Sequence, residues 1–425
     1  MQTNADIVVI GAGLAGLVAA STAAGEDRLA RPRVVVIEGA QPGGRARTDE
    51  RNGFKLNEGP HAIYLEGAGR KVMLDLGIDP TGGPPALKHT FLVEDGELYP
   101  MPASPTKLMA SKLLNARGKA QIAKLLAGFG KIDSSSLTGM SASAWLDSLE
   151  LQPEARQLIS MLLRTASYVD PDVMPISADA AVPQMQMAIA EGVRYIDGGW
   201  QTMVDSLLAV GAARGVSIER KTTALSVREV DGQVEVVTSA GSVVASAAII
   251  ANGGPAAAAN LLGDDPWGDL GAPVTAACLD LGLTRPPERP VVFGFSEPLY
   301  LSTHCPPADL APAGGAVVHL MRYGARDAAT DRATLDRLAV AAGIDRTSIV
   351  EERFLARMHV AWTIPTVEGG GLAGRPGPAV PGRDRLFVAG DWVGAVGLLS
   401  DASIASGAAA AAAARACVAP LAAAR

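Results

Sequence analysis

Three glycines near the start of the chain, Gly11, Gly13 and Gly16, stand in GxGxxG spacing, and an acid, Glu38, follows 22 residues after the last of them. Glycines in this pattern let bare backbone come up against a phosphate. Gly11 allows a tight turn, Gly13 removes the side chain that would block approach, and Gly16 lets a helix close onto a strand. Ala12, Leu14 and Ala15 fill the intervening positions, where the unpaired N–H groups of a helix N-terminus and its partial positive charge favour a diphosphate. Glu38 is an acceptor placed for ribose hydroxyls. The chemistry this set can do is to hold a dinucleotide.

Such spacing means little without the elements that position it. Here Asp6–Ile10 is an apolar run of strand length, Leu17–Ala24 is helix-forming, and Val34–Ile37 is a second strand ending at Glu38. Strand, glycines, helix, strand and acid agree on a βαβ unit. Gly369, Gly371 and Gly374 repeat the spacing, but Pro365 precedes them and Pro376 and Pro378 follow, so that copy reads as a loop.

More motifs follow: Gly43-Gly44-Arg45 after the second strand, Asn57-Glu58-Gly59-Pro60-His61, Gly198–Asp205 before a helix, and Arg385–Trp392 ahead of Ser400–Gly407. On these residues the sequence resembles the FAD superfamily of flavin amine oxidases, protoporphyrinogen oxidases and phytoene-desaturase-like dehydrogenases. The anchors lie at the start, middle and end, so the resemblance covers nearly the whole chain. It implies non-covalent FAD, since no cysteine is placed for covalent attachment. Gly43, Gly44 and Arg45 would lie along the diphosphate and flavin edge, and Gly59, Pro60 and His61 against the flavin. Ala224 would pass the adenine, and Gly390 and Asp391 would bind the ribitol. Leu399 and Ser400 would open a helix aimed at the flavin pyrimidine.

The implied fold is α/β: a Rossmann-like FAD-binding domain of the GR2, p-hydroxybenzoate-hydroxylase-like type, with an interleaved α+β substrate domain. Residues 1–65, 196–262 and 361–425 are assigned to the first and 66–195 and 263–360 to the second. Strands are expected near Val274–Leu283, Val291–Phe295, Gly315–Tyr323 and Ile349–Met358, with one buried strand over Val243–Ala251. Phe91–Val93 and Glu97–Tyr99 flank Asp95-Gly96, a hairpin signal. Met185, Met187 and Ile189 read either as core or as the lining of an apolar pocket.

Two departures from the family pattern bear on function. The amine-oxidase branch holds a lysine near the flavin, and this chain has no lysine after Lys221. Leu398–Ser403 also lacks the Gly-Ala pair that many relatives carry. Glu58, His61 and Asp401 are candidate bases, but no catalytic residue is assigned. Trp362 and Trp392 read equally as a flavin wall or as packing.

At 425 residues the chain is large enough for two packed domains, and its 48% hydrophobic and 19% charged content fits a well-buried protein. A net charge of −7 excludes general nucleic-acid binding. Cys278, Cys305 and Cys417 are too scattered for a disulfide frame or a zinc site, and no metal is expected. These features, with a fold that begins at Asp6, give a cytoplasmic expectation.

From Leu98 to Ile132 there is no Asp or Glu, yet Lys107, Lys112, Arg117, Lys119, Lys124 and Lys131 interleave with apolar residues. Residues 107–131 read either as a peripheral contact with anionic lipid on the inner membrane face or as a helix pair packed on its own core. The resemblance leads to a FAD-dependent dehydrogenase or desaturase taking a hydride from an apolar, isoprenoid-like small molecule. The alternatives are an amine or porphyrinogen oxidase using O2, and a non-catalytic lipid-binding escort on the same fold.

Overall fold

The computed structural model describes residues 2–27 and 31–422. The expected loop over Gly25–Arg33 therefore falls partly outside the described residues.

The opening apolar runs form a five-stranded parallel sheet. Its order is Ser217–Arg220, Val34–Glu38, Ile7–Ile10, Ala247–Ile250, Leu386–Val388. Ile7 and Val9 face one apolar layer, while Val8 and Ile10 face another. Burial on both faces explains why these strands read as unbroken apolar runs rather than alternating ones. From Ile7–Ile10 the chain passes to Val34–Glu38 on one side and returns as Ala247–Ile250 on the other. That reversal is a topological switch point, where open α/β sheets bind ligands at their carboxyl ends. Gly11 sits at that end of the central strand.

Helices Leu14–Ala24 and Leu399–Ala422 pack together over one face of the sheet. The Ala-rich tail has its inner side, Ala410, Ala411 and Ala414, fully buried. Its small residues allow close approach: a Cβ at Gly407 would lie 2.4 Å from the Ala15 carbonyl oxygen.

The stretch over Val243–Ala251 is two strands, not one. Gly241–Ala245 belongs to a separate four-stranded sheet, and Ala247–Ile250 joins the parallel sheet. Ser246 is the break, its N–H donating to the Asp6 carbonyl. Hydrophobicity runs straight through because Val243, Ala245 and all of Ala247–Ile250 are buried.

A second, seven-stranded sheet runs Ile349–Ala361, Val274–Leu283, Ala316–Tyr323, Leu299–Cys305, Val291–Gly294, Thr90–Glu94, Glu97–Pro100. The last two strands are the hairpin expected at Asp95-Gly96. In this layer the strand Leu299–Cys305 and the helix Ala328–Ala341 have no counterpart in the sequence reading. That helix covers one face of the sheet, where Leu279, Leu281, Leu301, Val318 and Leu320 meet Leu335 and Leu338.

Between residues 105 and 190 the chain is helical. Within the basic stretch, Leu108, Leu114, Ile122 and Phe129 are buried in this helical layer, whereas Met109 and Leu126 are exposed beside the cations. On Ala178–Ala190, Met185 is buried, whereas Ile189 is 52% exposed and belongs to the surface rather than the core. Among the described residues, no helix is long and apolar enough to cross a membrane. All three cysteines are free thiols.

Candidate active site

At the switch point the glycine turn and Glu38 are joined directly. The Ala12 N–H donates to Glu38 Oε2 at 2.7 Å, and the Ala40 N–H donates to Oε1 at 2.8 Å. Gly11 adopts φ +101°, and a Cβ at Gly16 would lie 1.9 Å from the Gly11 carbonyl oxygen. Gly13 is different. A Cβ there would meet nothing within 4 Å, so its face is open. Leu14 and Ala15 start the helix and are buried.

The Gly43-Gly44-Arg45 turn docks on this loop. The Gly43 N–H donates to the Ala12 carbonyl at 2.7 Å, and Gly43 bridges Gly13 in parallel. The Thr222 N–H donates to the Glu38 carbonyl at 3.0 Å, which brings the approach to Ala224 beside Glu38.

The distal end is built from residues far apart in sequence. Arg45 Nη1 donates to Asp391 Oδ2 at 3.1 Å and to the Val360 carbonyl at 2.9 Å, and its guanidinium lies 5.7 Å from the Trp362 ring centroid. Asp391 Oδ2 also accepts from the Trp362 N–H at 3.1 Å. Its other oxygen, Oδ1, is buried without a hydrogen-bond partner. A carboxylate oxygen in that state needs a donor, and a sugar-alcohol hydroxyl is one. The Gly390 N–H and carbonyl both bond Ser406 Oγ, tying this turn to the C-terminal helix. Arg375 donates to the carbonyls of Asp391, Val396 and Gly397, fixing the loop that leads to Leu399 and Ser400.

Gly59, Pro60 and His61 lie across the second sheet. A Cβ on Gly59 would come 2.7 Å from Met358 Sδ and 3.5 Å from Cys278 Sγ. The Tyr168 hydroxyl donates to the Pro60 carbonyl at 3.0 Å. His61 sets its ring edge-on to Trp200, with centroids 4.8 Å apart. Burial holds its imidazole down at about 4, so it is neutral at pH 7.

The sheet face beneath this segment is not aliphatic. Alternation places Cys278 and Asp280, then His319, Met321 and Tyr323, then Tyr300, Ser302 and His304 on the side away from the Ala328–Ala341 helix. In register, Ser302 pairs with His319, His319 with Asp280, and Asp280 with Arg353, a polar row across four strands. His319 Nδ1 lies 2.5 Å from Asp280 Oδ1, and Arg353 donates to Oδ2 through Nε at 2.9 Å and Nη2 at 2.7 Å. Arg353 also bonds Asp49 and the Asn57 carbonyl.

Five of the six tyrosines (Tyr64, Tyr168, Tyr195, Tyr300 and Tyr323) gather over this face, and burial raises the phenol pKa of each. Tyr168 and Tyr300 nevertheless keep some accessible surface, as do His61, Met358 and Val360. These side chains are desolvated yet keep part of their surface open.

Sequence reasoning missed this row. The signal was present in Tyr300, Ser302 and His304 alternating with Leu299 and Leu301, the period of a strand with one polar face.

Of the candidate bases, Glu58 pairs with Arg47 at 3.2 Å. Asp401 lies in the first turn of the C-terminal helix, 2% exposed, accepting from the Gly69 N–H at 2.8 Å through Oδ1 while Oδ2 has no partner. Burial pushes its carboxyl up to about 6, against 3.8 for a free Asp. The folded state therefore holds this proton more tightly than the unfolded chain. That stability is present at low pH and is lost as pH rises through the interval from 3.8 to about 6. A gap of roughly two pKa units corresponds to about 3 kcal/mol. Asp401→Asn should therefore gain about 3 kcal/mol relative to wild type on going from pH 3.5 to pH 8. Urea titrations at both pH values measure it, and a pH-independent difference would refute it.

The geometry is that of a two-sheet α/β protein in which the glycine turns and Glu38 are bonded together at the switch point, with the Arg45–Asp391 pair beyond them and an aromatic and polar face on the second sheet. The sequence pattern of flavin containing amine oxidoreductases matches residues 14–285, and the chain belongs to that family. It is a flavin-dependent oxidoreductase by family, with FAD as cofactor. Over 130 residues it is 32% identical to chloroplastic protoporphyrinogen oxidase 1 of Arabidopsis thaliana, a match covering 30% of this chain and 23% of that protein. An oxidoreductase from Methanosarcina mazei has the same fold, with a TM-score of 0.74 at 19% identity over 96% of this chain and 99% of its own. Cyclohexylamine oxidase from Brevibacterium oxydans IH-35A gives 0.70 at 16% identity, over 98% and 99%.

Proposed function

We propose that the chain dehydrogenates a small molecule bearing an N–H or O–H group next to the C–H bond that is oxidised. The observation that carries this reading is the polar row Ser302–His319–Asp280–Arg353 beneath Gly59–His61. An isoprenoid hydrocarbon would leave buried polar atoms on that face with no partner, at a cost of about 1–3 kcal/mol each. A substrate with its own donor group satisfies them. The isoprenoid expectation rested on how few polar residues looked obligatory, and the face has more than the sequence disclosed.

In this reading Glu38 holds the adenosine ribose, and the open face at Gly13 takes the diphosphate with Gly43 and Gly44. Asp391 Oδ1 takes a ribityl hydroxyl, and the helix at Leu399 and Ser400 places its positive end near the flavin pyrimidine. FAD bound there supplies the two-electron acceptor. The protein's share is to bind, to exclude water behind the tyrosines, and to accept the remaining proton.

Anaerobic mixing of holoenzyme with a panel of primary amines, secondary alcohols, porphyrinogens and C20–C40 isoprenoids tests the proposal. Bleaching of the flavin band by amines, alcohols or porphyrinogens is expected. Bleaching by isoprenoids alone would restore the desaturase reading and overturn this one.

A further inference from the structure

We propose that His319, oriented by Asp280, is the base that accepts the proton from the substrate's N–H or O–H group. This rests on the substrate reading above.

The row of cross-strand neighbours dictates the geometry. Asp280 sits between His319 and Arg353 in register and is fully buried. It engages His319 through Nδ1, the ring nitrogen nearer the backbone. An imidazole held sideways through Nδ1 turns its distal Nε2 off the sheet, the arrangement by which a carboxylate sets a histidine's tautomer. On this face, off the sheet means toward the Gly59–His61 loop, whose Gly59 would set a Cβ 3.5 Å from Cys278 Sγ, two residues from Asp280. His319 Nε2 is buried and has no partner among the described residues. His304, whose ring centroid is 4.5 Å away, has an unpartnered Nδ1. Buried polar nitrogens of this kind call for a ligand group or a water.

Arg353 shares the Asp280 carboxylate with His319, holding its other oxygen through two hydrogen bonds. The other titratable groups facing His319 are Cys278 on the neighbouring strand, His304, and His61 from the loop above. Burial pushes the Cys278 thiol well up and holds His304 well down, and His61 sits at about 4, so all three are neutral near pH 7. Cys278, Asp280 and His319 do bring one ligand atom each within 4.8 Å of one another, as a metal site would. The Arg353 guanidinium on the same carboxylate opposes a cation there, which favours the hydrogen-bonded base.

The balance is simple. FAD bound here would take the hydrogen of the C–H bond with both its electrons, His319 Nε2 takes the X–H proton, and the substrate is left with a C=X double bond. A base in this position also fits a chain that has no lysine beyond Lys221.

Neutron diffraction from holoenzyme crystals grown in heavy water at pH 8 tests the protonation state without any substrate or variant. Deuterium is expected on His319 Nδ1 and absent from Nε2, and deuterium on Nε2 overturns the proposal. Kinetically, His319→Gln with full FAD content should slow flavin reduction by about 100-fold or more at pH 7.5, with part of the rate returned by added imidazole. A variant within threefold of wild type would also overturn it. If no N–H or O–H compound bleaches the flavin while Nε2 is bare, the substrate reading fails and the protonation assignment stands.

Discussion

Arg353→Met is expected to destabilise the protein by about 3–5 kcal/mol, the usual result of stranding one partner of a buried ion pair. Asp280 is fully buried, and Arg353 is its cationic partner. Without the guanidinium, Asp280 would keep only His319 and Cys278, while Asp49 and the Asn57 carbonyl would each lose a donor. The control is the double variant Arg353→Met with Asp280→Leu. Removing both charges should recover much of the loss, because a well-packed apolar pair can replace a buried salt bridge at little cost. Urea denaturation of the two single variants and the double variant gives the coupling directly. An Arg353→Met protein within 1 kcal/mol of wild type would mean that water or another cation already satisfies Asp280.

The same residues show what sequence could and could not disclose. Gly11, Gly13, Gly16 and Glu38 were legible because their elements are contiguous: strand, turn, helix and strand occur within forty residues, and each carries its own local signal. Asp391 was legible through its strand and GD pair. Its contact with Arg45, 346 positions away, was not anticipated, because neither motif alone carries a sign of the other. Of the row Ser302–His319–Asp280–Arg353, sequence could offer only the alternation around Ser302, not the alignment. The row's four members come from four strands, and whether they align depends on register, which a one-residue slip would reverse. The bulges in these pairings, as between Ala276 and Cys278, make the register still harder to read from pattern. Val243–Ala251 failed for a related reason: burial on both sides of Ser246 hides a change of sheet inside one apolar run.

Two glycines of one motif should fail in different ways, and this contrast separates fold from ligand binding. Gly16→Ala is expected to abolish flavin binding through the fold itself. The added Cβ would lie 1.9 Å from the Gly11 carbonyl oxygen and 3.3 Å from the Ala251 Cβ, and the nearer obstacle is backbone that no rotamer change can clear. The helix Leu14–Ala24 must then move off Ile7–Ile10, opening the layer where Val18 and Ala19 are buried; apoprotein stability should fall by at least about 3 kcal/mol. Gly13→Ala meets nothing within 4 Å, and Gly13 has φ −75° and ψ −178°, a conformation alanine adopts freely. It should cost about 1 kcal/mol or less, chiefly as a poorer N-cap. Yet its methyl would stand on the open face assigned to the diphosphate, so the affinity for FAD should fall at least tenfold, about 1.4 kcal/mol. Apoprotein unfolding and FAD titration by fluorescence quenching, run on both variants, give the four numbers needed. A Gly13→Ala protein that binds FAD as wild type does would remove the diphosphate from that face, and with it the placement of the cofactor between Glu38 and Asp391.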